Sequence, residues 1–597
     1  MGDFNSSVVN EKNIEVVDFT SAGDSNESTI SKSVSAYEQP NDANAGFFKN
    51  FVNSFKRMEL NDIDPNLSDE EKRNIAFARA AGKTTMKKRH VQMIGMATGI
   101  GTGLFVGTGV ALSNGGPGSL MIAYAIVGVM IFCVVQCLGE LAIAFPVSGS
   151  FLQYNSRFIA PWWSFVMAWN YALQWVIVMP LELVAASLTI KYWNDTINSA
   201  AWVVIFYAVI VFIHFFGVKG YGEAEFIFSL IKLTALLGFV IFGIVVTAGG
   251  GPKHEYIGGK YWHNPGSFNH GFKGLCTVFV AAAFSFAGTE LVGMASAETA
   301  NPAKTLPSAT KKVFWRICVF YITSLVLVCC LVPYNDDRLL SSNSTSTASA
   351  SPFVLAIKNA GVEGLPSVIN AVILIALLSV ANSAVFAATK TLTSLAAQGF
   401  APKIFTYVDR SGRPLYSLLC TVVFGLLCFL AASPRETEAF AWMMALSGLS
   451  SIFTWGSICF AHCRFRRAMS VQGRSLDELS FTAMTGLAGG ILGTVLSVLI
   501  LAAEFWVSLF PIGSPPDAEV FFKNYLNAVV NLAFMFIFIG IKLFKKEKIT
   551  WLIRAKDIDI DTGRRLDDID ILKQEIEEEK AYIASRPIWY RVYKFWC

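Results

Sequence analysis

From His90 onward the chain is a succession of twelve apolar stretches separated by polar connections, each stretch about 20 residues long. At 1.5 Å per residue, 20 helical residues cover about 30 Å, the thickness of the hydrocarbon core of a bilayer. Such segments are stable in lipid only if their backbone polar groups are satisfied internally, so helices are expected. Composition agrees: 53% of the residues are hydrophobic and 15% charged, where a soluble chain carries about 25% charge. The stretches fall at about 91–112, 119–144, 163–189, 201–217, 224–247, 274–298, 313–332, 366–392, 415–431, 438–461, 483–509 and 520–544. The expectation is an all-α polytopic membrane protein with twelve transmembrane helices.

Basic clusters fall on one side of this array. KKRH precedes the first stretch, KTLPSATKKVFWR follows the sixth, HCRFRR the tenth and KLFKKEK the twelfth, so both termini are expected in the cytosol. Residues 1–89 read as a cytosolic tail, of which 1–46 is polar, rich in Ser and Asn, and expected to be disordered. That segment has no apolar run, so no cleaved signal peptide is expected. Residues 90–545 form the twelve-helix domain. Residues 546–597 form a second cytosolic tail, with an amphipathic helix expected on Ile569, Leu572, Ile576 and Ile583. The sequons at Asn194 and Asn343 fall outside, as candidate glycan acceptors. Cys597, beside aromatic residues at the end, is a candidate palmitoyl acceptor. The eleven cysteines contain no C-x-x-C pair, which argues against a metal site or a disulfide framework.

Within the first stretch, residues 95–109 read GMATGIGTGLFVGTG. Glycines at 95, 99, 103 and 107 make a four-residue stripe, which by itself lets a neighbouring helix approach closely. Gly101 lies off that stripe, and three glycines within 99–103 each weaken a helix by roughly 1 kcal/mol relative to alanine. A helix broken at its middle is expected, and in a bilayer such a break is tolerated only inside protein or beside a wet cavity. The glycines do not make a dinucleotide fingerprint, because the spacing fails and no strand precedes them.

The sixth stretch carries a counterpart. In VFVAAAFSFAGTELVGMASAE, Gly288 sits mid-span among small residues and Glu290 follows two positions later. Paired interruptions in spans one and six suggest a five-plus-five inverted repeat holding a ligand between its halves. Freed N–H groups at Gly101, Thr102 and Gly103 lie at a half-helix N-terminus and attract a carboxylate. Freed carbonyls in 284–288 accept from an ammonium group. The two poles together describe a free amino acid.

GIGTGLFVG, FSFAGTELVG, VKGYGEAEF, GGKYWHNPG, LVPYND, LDELSF and DIDTGRR resemble the fungal amino acid permeases of the amino acid–polyamine–organocation superfamily, the general amino acid permease group in particular. The likeness runs from about residue 47 to the final FWC. It implies twelve helices, a leucine-transporter-like inverted repeat with helices 1 and 6 broken, and proton-coupled uptake at the plasma membrane. It places substrate carboxylate recognition at Ile100, Gly101, Thr102 and Gly103. Amino-group recognition falls at Phe284, Ser285, Ala287, Gly288 and Thr289, with Phe284 as an aromatic gate. Ser379 and Val380 match cavity-lining positions. Lys12 and Lys32 become candidate ubiquitin acceptors for ligase adaptors.

Charges inside spans cost at least about 2.5 kcal/mol each on insertion scales and require a reason. Glu290, beside the break, reads either as a coupling or gating carboxylate or as a structural hydrogen bond to loose backbone. Lys232 resembles a lysine that a proton-driven bacterial relative places where sodium-driven relatives bind sodium, the alternative being a permanent ion pair. Glu182 reads either as a proton-binding carboxyl or as half of a buried ion pair. Glu140 and Glu298 read as structural, His214 as a satisfied core residue, and Glu504 receives no role. No G-x-S-x-G or H-E-x-x-H motif occurs, so no enzyme activity is expected. The leading expectation is a plasma-membrane amino acid:proton symporter of broad specificity, with no cofactor beyond the proton gradient. The alternatives are an amino acid-sensing receptor and a narrower exchanger.

Overall fold

The computed structural model describes residues 52–56, 86–146, 149–296, 306–307, 310, 312–313, 315–340, 351–433, 436–562, 564, 578 and 581–591. Lys12, Lys32, Glu298, Asn343, Cys597 and most of the expected C-terminal amphipathic face lie outside the described residues. The described residues are helical and contain no β-sheet.

The first helices are α1 (Lys88–Ala97), then α2 (Thr108–Ala144), which a π-helical turn, Gly103–Gly107, leads into. After them come α3 (Phe151–Phe158), α4 (Pro161–Ile190), α5 (Ser199–Phe215), α6 (Gly217–Thr247), α7 (Gly271–Phe286) and α8 (Leu291–Ser296). A second π turn, Arg316–Ile322, runs into α9 (Thr323–Leu331). The remainder are α10 (Pro352–Asn359), α11 (Leu365–Ala397), α12 (Leu415–Gly425), α13 (Glu436–Val471), α14 (Gly486–Leu509) and α15 (Ala518–Phe544). Among the described residues nine helical segments are long and apolar enough to cross a membrane, and two shorter apolar helices accompany them.

One of the nine, Gly103–Ala144, is 42 residues long, about twice what a bilayer requires. It is divided at Gly116, where φ is +76°. A side chain there would stand 2.9 Å from both Asn269 N and Ser267 O, so only glycine fits both the angle and the space. Pro117 follows, in the first-turn position where its missing N–H costs nothing. The sequence placed this boundary between 112 and 119, and Gly116 fixes it.

The centre of the molecule is the pairing of α4 with α11, with α7 lying along α2 beside it. On α6 the buried positions 218, 221, 225, 229, 232, 236 and 239 recur at helical spacing and face this centre. Ile227, Leu230, Leu237, Ile241 and Ile244 occupy the opposite, exposed face. Helices α14 and α15 lie at the periphery, with 28% and 17% of their apolar windows buried.

The basic end of the bundle is tied by Glu140. Its carboxylate accepts from Arg466 Nε at 2.6 Å and Nη2 at 2.5 Å, from His462 Nε2 at 3.0 Å, and from Ala483 N at 2.6 Å. Glu140 is wholly buried, so these four donors replace its hydration and join α2 to α13 and to the segment before α14. Glu140→Ala leaves the buried Arg466 and His462 without their carboxylate. The expected cost is about 3–5 kcal/mol of stability, read as a lower melting temperature of the purified protein.

The chain after α15 packs on this same end. Trp162 Nε1 donates to Trp551 O, Ile553 N to Ile159 O, and Gln472 Nε2 to Ala555 O and Ile558 O. Ile558 and Ile560 are buried there. At the other end of the chain, Phe55 lies under the Arg413 guanidinium, 3.9 Å from ring centroid to carbon, and Ser54 Oγ accepts from Arg413 Nη2.

Candidate functional site

Helix α1 stops at Ala97, and the chain runs through Thr98–Thr102 before winding resumes in the π turn. π turns of this kind are frequent at functional sites. Stripe glycines 95, 99 and 103 all face span six. A Cβ on Gly95 would stand 3.2 Å from Val292 Cγ2, and one on Gly99 2.9 Å from Ala287 O. One on Gly103 would stand 2.5 Å from Ser285 Cα and 2.6 Å from Ser285 N. Gly101, off the stripe, faces the other way: a Cβ there would clash with Val380 Cγ2 and stand 3.9 Å from Glu182 Oε1. The stripe thus packs against span six, while the off-stripe Gly101 sits in the break.

Span six is interrupted at the matching depth. Helix α7 ends at Phe286, Ala287 is extended (φ −55°, ψ 143°), Gly288 takes φ +90°, and α8 begins at Leu291. A side chain on Gly288 would press on Thr98 and on Trp175 at 3.0 and 3.3 Å. The carbonyls here accept protein donors: Phe284 O from Ala287 N, Ser285 O from Tyr321 OH at 2.8 Å, and Gly288 O from Leu291 N. Each carbonyl oxygen has a second lone pair, so these three retain an acceptor position. Phe286 O takes both the N–H and the hydroxyl of Thr289. The two breaks thus lie backbone to backbone, with Gly99 and Gly103 against Phe284, Ser285 and Ala287, and Thr98 against Gly288.

Four buried charges surround them. Glu182 on α4 accepts the Thr102 hydroxyl on Oε2 at 2.5 Å. The sequence assigned the N–H groups of Gly101, Thr102 and Gly103 to a ligand, and the structure sets the protein's own carboxylate beside them, on the Thr102 hydroxyl. Among the described residues Glu182 has no cation within ion-pair distance, so the ion-pair alternative is not what the structure contains. Lys232 Nζ donates to Ala97 O at 2.7 Å and to Ser379 Oγ at 2.8 Å. Its carboxylate is Glu225, 3.7 Å away, and Ser379 Oγ bridges by donating to both Glu225 oxygens at 2.8 and 2.9 Å. Ser379 is therefore held between α6 charges, while its neighbour Val380 touches the break. Glu290 accepts from Trp455 Nε1 at 3.0 Å, Tyr171 OH at 3.1 Å and Gly288 N at 3.3 Å. These bonds tie span six to α13 and α4.

Sequence reasoning missed Glu225 and Arg316. Glu225 lies seven residues before Lys232, two helical turns, and so on the same face of α6, a spacing that could have revealed it. Arg316 had been counted among loop cations in KTLPSATKKVFWR, yet it is wholly buried, as is nearly all of Lys312. His214 Nε2 meets Asn382 O at 3.0 Å in the core. Glu504 is buried beside Ser508, away from the breaks.

The family model described as Amino acid permease matches residues 90–554 of this chain. The chain is 54% identical over 592 residues to the general amino-acid permease GAP2 of Candida albicans, covering 98% of this chain and all of that one. It is 50% identical over 577 residues to the general amino-acid permease GAP1 of Saccharomyces cerevisiae, covering 95% of each. It is 49% identical over 515 residues to the histidine permease of the same yeast, covering 85% of each.

Proposed function

Because this chain belongs to the amino acid permease family, we propose that it is a proton-driven symporter bringing free amino acids across the plasma membrane, with broad specificity. The observation that carries the reading is the backbone-to-backbone contact of the two glycine breaks at Gly103 and Ser285. A twelve-span, five-plus-five arrangement is supported by dividing Gly103–Ala144 at Gly116 and adding the two shorter apolar helices to the remaining eight segments. The basic end, with Arg466, Arg464 and Arg474, is then cytosolic.

In this reading the substrate's carboxylate takes the donors at Gly101–Gly103 and its ammonium group the open carbonyl positions at 284–288. Glu182 then has to give up Thr102. Two ionised carboxylates about 4 Å apart repel by roughly 4 kcal/mol at an effective dielectric constant of 20. Adding a proton to Glu182 removes that repulsion, so substrate and proton favour each other's binding, which is what obligatory symport requires. Glu290, bonded to Tyr171 and Trp455, holds the span-six break to its surroundings until the site rearranges. Lys232, bonded to the last turn of α1, supplies a fixed charge that disfavours a sodium ion there.

The test is uptake of several labelled amino acids into permease-deficient cells, with and without a protonophore, for the wild type and Glu182→Gln. Concentrative uptake that collapses with the protonophore is expected. The glutamine variant, which can neither bind nor release the proton, is expected to exchange amino acids but only to equilibrate them. Accumulation indifferent to the proton gradient overturns the coupling and favours an exchanger. Binding without uptake favours the receptor.

A further inference from the structure

Arg316 belongs to none of the contacts used above, and its surroundings are unusual for a buried guanidinium. It opens the π turn that begins span seven and is wholly buried. Nη1 donates to Gly95 O of α1 at 2.7 Å, and Nη2 to the Thr289 hydroxyl just ahead of α8. The guanidinium lies 5.5 Å from the centre of the Tyr321 ring on the same turn. Among the described residues no carboxylate lies within ion-pair distance of it, and its Nε is buried without a hydrogen-bond partner. Glu290, next in sequence to Thr289, is turned toward Tyr171 and Trp455 instead.

Its two partners depend on it unequally. The Thr289 hydroxyl already donates to Phe286 O, whereas Gly95 O lies in the last turn of α1, beyond the reach of the helix's own N–H groups, and takes Arg316 as its donor. The guanidinium has two hydrogen bonds and a ring beside it but no carboxylate, and its Nε is unpartnered, so its charge is only partly compensated for burial. Its two bonds join the half-helices α1 and α8, which also touch directly at Gly95 and Val292. One turn earlier, Lys312 Nζ donates to Gln92 Oε1 at 2.9 Å, so a second buried cation lies between Arg316 and the basic end. Separating α1 from α8 at that end would admit water to both cations.

We propose that Arg316 is a positioning residue that sets the balance between the closed and cytosol-open arrangements: it clasps both half-helices with a charge that only cytosolic water can fully solvate. This rests on the transport reading above. The charge acts as a standing bias toward opening, and the two bonds keep that bias from opening the closed state outright.

Arg316→Met and Arg316→Lys separate charge from fold. Per molecule at the cell surface, Arg316→Met is expected to lower the maximal uptake rate at least ten-fold without raising the half-saturation concentration. In the purified full-length protein, its amide hydrogen exchange in 88–97 and 289–296 is expected to slow, because the closed arrangement gains. Arg316→Lys, which keeps the charge, is expected to stay within three-fold of wild type in both measurements. Faster exchange in Arg316→Met would make the residue a simple staple and overturn the inference. Unchanged exchange, or a lysine variant behaving like the methionine variant, would also overturn it. If the wild type itself fails to accumulate amino acids, the transport reading fails, while the exchange comparison still tests Arg316 by itself.

Discussion

Gly103→Ala is expected to abolish amino acid uptake, while Gly107→Ala, one step along the same glycine stripe, leaves it close to wild type. At Gly103 the added methyl would stand 2.5 Å from Ser285 Cα, 2.6 Å from Ser285 N and 2.9 Å from Phe284 C. All three are backbone atoms of the segment that supplies the acceptor carbonyls, so no rotamer change relieves the clash, and the two breaks must move apart. Displacements of about 1 Å in a preorganised site cost roughly 100-fold, and uptake per surface molecule should fall at least that far. At Gly107 the nearest atom to a new methyl is Thr102 O at 3.8 Å, ordinary contact, and the backbone there is already helical. Uptake assays normalised to surface abundance decide it. If the stripe served helix packing alone, the two substitutions would differ only in how much protein reaches the surface, and uptake per molecule would be equal.

The contrast between these glycines marks how far the sequence could be read. Where a local rule is broken, the break was visible: three glycines in five residues, and Gly288 among small residues, announced interruptions that the structure sets face to face. Lys232 was visible for the same reason, as a charge at a depth where one is expensive. What stayed hidden was pairing over long sequence separations. Thr102 meets Glu182 across 80 residues, and Trp455 meets Glu290 across 165. Nothing in periodicity predicts which helices become neighbours. Arg316 was hidden for another reason. It follows a run of loop cations, and charge near the end of a span ordinarily means proximity to water. Only the tertiary fold brings α1 and the start of α8 over it. The sequence read two stretches, 91–112 and 119–144, where the structure has one 42-residue helical run, and the positive φ of Gly116 divides that run between them.

Lys232→Met is expected to eliminate concentrative uptake, and the companion substitution in Glu225 determines why. In the native protein Lys232 is wholly buried, with Glu225 at 3.7 Å and Ser379 bridging the two. Removing the ammonium group leaves Glu225 as an uncompensated buried carboxylate, at a cost of about 3–5 kcal/mol. A large part of the loss in the single variant is therefore destabilisation, expected as a lower melting temperature and reduced surface protein. The double variant Lys232→Met/Glu225→Gln removes both charges. Replacing a whole buried ion pair by neutral groups is often neutral or stabilising, so folding and surface abundance should recover. Uptake should not recover, because no fixed cation then stands on the last turn of α1 at Ala97 O to answer the charge state of Glu182 in the neighbouring break. Stability and transport would then part company: melting temperature restored, accumulation absent. If the double variant instead accumulates amino acids against a gradient, Lys232 is only the partner that makes Glu225 tolerable, and the coupling must be sought at Glu182 and Glu290 without it.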